Sequence, residues 1–199
     1  MQNYLLLDKL EHEELIPFIK KYLNRRSAIS FFYYSLNILL LLLGSIAIYA
    51  NITYLNANIG NVIFHYCFGS TVSFLLIPIH EYIHVLAYKY VGASETSLDC
   101  NLKKFYFMAL ADKFVANRKE FTLIALAPFV VISSILIILA FFSSNYWQLT
   151  ILGCALLHSA MCSGDFGLLG YFLFHKDKEV VTFDDVSNKV SYFFTLKKA

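Results

Sequence analysis

Charge is scarce in this chain. Asp, Glu, Lys and Arg make up 15% of its 199 residues, against about a quarter in an average soluble domain. Two stretches, 28–50 and 121–142, hold no charged residue at all. Uninterrupted apolar runs of that length are rare outside membranes, which argues against a water-soluble globular domain. The net charge is only +2, so nothing points to a nucleic-acid partner. The four cysteines (Cys67, Cys100, Cys154 and Cys162) form no C-x-x-C pair. Structural disulfides are not expected, because Cys100 falls in a loop assigned below to the cytoplasm. Internal repeats and low-complexity tracts are also missing.

What is present is apolar length. The hydrophobic fraction is 58% and the mean hydropathy +0.59. A helix needs about 20 apolar residues to cross the hydrocarbon core of a bilayer. Four runs qualify: 28–50, 62–88 with Glu81 as its one acid, 121–142, and 146–174 with Asp165 as its one acid. Every Lys and Arg lies before the first run, between the second and third, or after the fourth; the loops 51–61 and 143–145 have none. Positive residues stay inside, so both termini and the middle loop are expected in the cytoplasm of a multi-pass cell-membrane protein. The first run is too long, and too far from the start, for a cleaved signal peptide. The expected fold is an all-α membrane protein with four transmembrane helices. Residues 102–111, rich in aromatics, suggest a small cytoplasmic β-hairpin between helices 2 and 3. Three segments follow: 1–27, a cytoplasmic amphipathic helix lying on the membrane surface; 28–174, the four-span domain; and 175–199, a cytoplasmic tail of short strand or helix.

The second run contains His80-Glu81-Tyr82-Ile83-His84, the H-E-x-x-H pattern. Residues four apart share one helical face, so two imidazoles can meet one ion. A glutamate beside the first can take a proton from water on that ion, the chemistry of a zinc metallopeptidase acting on a protein or peptide substrate. Ionisable side chains inside a span are costly and point to function. A catalytic zinc needs a third protein ligand. Asp165 is the one other acid in a span, and counting back from Lys89 and Lys176 puts it near the depth of His80. His158 and Cys162 are rivals on the same span, with His158 about two turns further out. Pro78, two residues before the motif, is expected to kink the span.

Those residues carry a resemblance. H-E-Y-I-H in one span, Ala125-Leu126-Ala127-Pro128-Phe129 in the next and Ser163-Gly164-Asp165 in the last resemble the DUF3267 family of putative zincin peptidases. More distantly the pattern is similar to site-2 proteases, which pair H-E-x-x-H with an Asp on a later membrane helix. That likeness implies zinc on His80, His84 and Asp165, with Glu81 as base. The longer site-2 motif around the Asp is absent, and Ser163-Gly164-Asp165-Phe166 stands in its place. Another reading is a non-catalytic membrane protein holding a metal or a haem through His80 or His84 with His158. Glu81 argues against it, since an axial haem pair gains nothing from a carboxylate there.

Overall fold

The computed structural model describes residues 4–101, 103, 106–144 and 146–197. It is mostly helical and divides into two compact units: 1–30, 80–128 and 164–199 in the first, 31–79 and 129–163 in the second.

Apolar composition builds the second unit. Helix α2 (Ala28–Thr53) is apolar all round, as is α5 (Arg118–Phe142) beyond its charged first turn; the C-terminal part of α5 belongs here. At 1.5 Å per residue each is about 37–39 Å long, enough to cross a bilayer. The apolar sequence around the H-E-x-x-H motif forms two helices, α3 (Ile59–Leu75) and α4 (Ile77–Tyr90), broken at Leu76. The last apolar run also forms two, α6 (Tyr146–Met161) and α7 (Ser163–Phe174), broken at Cys162. Two helices are therefore candidate spans, or four if each broken pair counts as one. Phe31, Phe141 and Phe142 are more than three-quarters exposed, a surface suited to lipid rather than water.

Helices α3 and α6 pack through small residues. A Cβ on Gly69 would stand 1.8 Å from the Thr150 carbonyl oxygen, and one on Gly153 would stand 2.2 Å from that of Tyr66. Close approach lets Ser73 Oγ donate to the Cys154 carbonyl at 2.9 Å, the kind of interhelical bond that apolar surroundings favour. Gly69→Ala should force the helices apart and cost about 1–3 kcal/mol. A thermal melt in detergent checks this, and an unchanged midpoint would refute the packing.

The first unit is held by a sheet and two helices. Strands β1 (Tyr4–Glu11), β4 (Val115–Asn117), β5 (Val180–Asp185) and β6 (Val190–Leu196) form an antiparallel sheet ordered β1-β6-β5-β4. Burial alternates along β5, as expected for a strand with one face on a core. Phe193 of β6 packs on Tyr171 of α7, ring centroids 4.4 Å apart, and on Phe18 of α1 (Leu15–Leu23). Gly167 and Gly170 let α1 approach α7; a Cβ on Gly167 would stand 2.6 Å from Ile19 Cγ2. The Tyr171 hydroxyl donates to Asp8 Oδ2 at 2.9 Å, and the Arg118 guanidinium donates to the carbonyls of His175, Lys176 and Lys178 beyond the end of α7. Helix α7 is thereby fixed at its middle and C-terminal end.

An all-α chain with one hairpin underestimates the strands, because both chain ends join the four-stranded sheet. Of the described residues 4–27, only α1 and a 3₁₀ turn at His12–Glu14 are helical, and Tyr4–Glu11 is β1. The edge of β6 offers Tyr4–Glu11 a backbone ladder that local periodicity does not reveal. The hairpin exists as β2 (Thr96–Asn101) and β3 (Tyr106–Ala111). Its expected start at Leu102, with Lys104 and Phe105, lies outside the described residues.

Candidate metal centre

All four residues of the motif-based site lie in the first unit. His80 is the fourth residue of α4 and His84 follows one turn later. Pro78 stands in the first turn of α4, where its missing N–H has no intrahelical partner to lose. The apolar run is bent where α3 gives way to α4, as expected, and Pro78 opens the helix beyond the bend. Asp165 is the third residue of α7, where the helix N-terminus favours a carboxylate.

The structure brings three donor groups together. His84 Nε2 lies 3.1 Å from His80 Nε2 and 3.1 Å from Asp165 Oδ1. His80 Nε2 lies 3.2 Å from Asp165 Oδ2. His84 Nδ1 lies 2.9 Å from the Ile124 carbonyl oxygen. A carbonyl only accepts, so Nδ1 carries a proton and Nε2 is the nitrogen left to bind a metal. Two imidazoles and a carboxylate that converge in this way can hold a metal ion. The spacing fits zinc: ligand bonds of about 2.0–2.1 Å in a tetrahedron put neighbouring donors about 3.3 Å apart.

Glu81 is 8% exposed. Among the described residues its Oε2 is buried without a hydrogen-bond partner, an orphaned acceptor that calls for a proton donor such as water. The carboxylate also receives the backbone N–H of Ala109 in β3. That contact follows from register. The Asp112 N–H donates to the Glu95 carbonyl, one step past the Thr96–Ala111 pair. In an antiparallel ladder the even-numbered residues of β3 then bond β2, and the N–H groups of 107, 109 and 111 face the other edge.

A two-stranded hairpin alone is marginal; this one is tied down. Asp99 of β2 accepts from Lys189 Nζ at 3.1 Å and pairs with His12 Nδ1 at 3.2 Å. Burial pushes the Asp99 carboxyl up, but Lys189 and His12 outweigh it and hold it below its ordinary value. His12 is 1% exposed. No local signal in the sequence marks it, because its partner is 87 residues away. His158 and Cys162, the rival ligands, lie in the second unit. Both are buried, and Cys162 Sγ is 3.9 Å from His158 Nε2.

No curated protein and no solved structure matches the chain. A family model does. The DUF3267 model, described as putative zincin peptidase, matches residues 73–180, a stretch that includes His80, Glu81, His84 and Asp165. With more than half its length matched, the chain belongs to the DUF3267 family.

Proposed function

We propose that this protein is a membrane-embedded zinc metallopeptidase that cleaves a protein or peptide near the cytoplasmic face of the cell membrane. The observation that carries the reading is the triangle of donors at His80, His84 and Asp165, with edges of 3.1–3.2 Å, beside the unpartnered oxygen of Glu81. Zinc held by those three residues would supply Lewis acidity toward a water and a substrate carbonyl. Glu81 Oε2 is placed to take a proton from the attacking water and pass it to the leaving amine. Asp165 is anionic and offsets part of the ion's charge in a site poor in water. The Ala109 N–H steadies the other part of the Glu81 carboxylate and aims Oε2 at the reacting atoms. The test is zinc stoichiometry of the purified protein alongside peptide cleavage. A metal-free wild type, or one bearing haem, would refute it.

Peptidases take their substrates extended, and an exposed strand edge supplies a template for one. In this reading the start of β3 is that template: Ala109 meets Glu81, and the backbone of Phe107, two residues earlier on the same edge, binds the substrate. Phe107→Pro removes an N–H from that edge, whereas Tyr106→Pro removes one from the hairpin ladder. The first should raise KM about tenfold, the value of one good hydrogen bond, with folding intact. Unchanged KM would exclude β3 as the docking strand.

The topology that goes with this function has four spans, α3/α4 and α6/α7 each counting as one. Residues 1–27 and 175–199 and the loop that carries the hairpin lie in the cytoplasm, following the distribution of Lys and Arg. Reporter fusions at both termini and at residue 110 should read cytoplasmic, and those near 56 and 144 external. An external signal at 110 would break the four-span arrangement.

A further inference from the structure

The sequence Ala125-Leu126-Ala127-Pro128-Phe129 has no role in the chemistry described so far. Pro128 stands inside α5, which continues through it without a break, and its side chain is fully buried. A proline has no N–H, and its ring crowds the carbonyl four residues earlier. That carbonyl is Ile124, the one that accepts from His84 Nδ1 at 2.9 Å. In a water-poor interior a carbonyl robbed of its helical donor must be met by another, and here the donor comes from the H-E-x-x-H helix.

We propose that Pro128 is a positioning residue. By removing the helical donor it dedicates the Ile124 carbonyl to His84, fixing the tautomer in which Nε2 turns its lone pair toward His80 and Asp165. The proposal rests on those three residues being the zinc ligands. Second partners of this kind orient a metal-bound imidazole and raise its basicity. The sequence alone shows a proline in an apolar helix; that position 128 is four after the carbonyl facing His84 emerges only from the packing of α5 against α4.

The test uses the full-length protein in detergent. Pro128→Ala and Pro128→Gly both return an N–H that competes for the Ile124 carbonyl, but alanine strengthens the helix and glycine gains far less. Both variants should bind zinc about ten- to a hundredfold more weakly in competition with a chromophoric chelator. The metal-free Pro128→Ala variant should melt no lower than wild type. A purely structural proline predicts unchanged zinc affinity in any variant that still folds. Nitrogen-15 NMR of the metal-free protein gives the second readout. Wild-type His84 should show an Nδ1 proton hydrogen-bonded to the Ile124 carbonyl, and Pro128→Ala should weaken that bond. Zinc affinity within twofold of wild type in both variants, or an unchanged Nδ1–H signal, overturns the proposal. A wild type that takes up no zinc overturns the metal reading, while the Nδ1–H signal still decides the role of the proline.

Discussion

Glu81→Gln should abolish peptide hydrolysis and leave zinc fully bound. The substitution keeps the side chain's size and its hydrogen bond from the Ala109 N–H, but the amide cannot take a proton from water. Loss of a general base costs about 10²–10⁴-fold in kcat. Glu81 is not among the three residues whose donor atoms converge, so the metal should stay. The orphaned Oε2 becomes an amide group with the same buried surroundings, and the variant should fold. Cleavage assays and metal analysis on one preparation check both halves. Retained turnover would refute the role of Glu81 as base. Loss of zinc would make Glu81 a ligand.

Asp165→Ala should lose both zinc and activity. Its two oxygens lie 3.1 and 3.2 Å from the imidazoles of His84 and His80, so alanine leaves two neutral ligands for a divalent cation in a poorly hydrated site. Two histidines alone fall short of the three protein ligands of a catalytic zinc. The fold should survive, because α7 is held by Gly167, Gly170 and Tyr171 further along. His158→Ala should keep its zinc and lose little or some activity through packing. Bound zinc measured by mass spectrometry, with thermal melts as a folding control, separates the cases. If His158→Ala empties the site and Asp165→Ala stays loaded, the ligand assignment is wrong.

Much of this site is legible in the sequence because its chemistry is concentrated. His80, Glu81 and His84 fall within five residues of a stretch otherwise nearly free of charge, where an ionisable side chain has few structural excuses. Asp165 stands out for the same reason, as a single acid in a long apolar run. His12 and Asp99 do not stand out. Each lies in a polar segment where His and Asp are ordinary, and only the meeting of β2 with the 3₁₀ turn at His12–Glu14 makes them a part-buried pair. The amphipathic look of 1–27 misleads in a similar way: leucines at mixed spacing satisfy a strand once β6 offers its edge.

Composition and spacing by themselves determined that the chain carries apolar helices of membrane length and a pair of imidazoles one turn apart beside a glutamate. Both follow from local rules, the cost of charge in hydrocarbon and the 3.6-residue helical repeat. The tertiary structure alone decided that each site-bearing run is two helices, so that His80 and Asp165 sit in the first turns of α4 and α7. It alone set the Ala109 N–H against Glu81 and the Ile124 carbonyl against His84. Those contacts join backbone groups to side chains 28 and 40 residues away. A backbone N–H or carbonyl is the same at every residue, so no pattern of side chains announces which one will be free or where it will point.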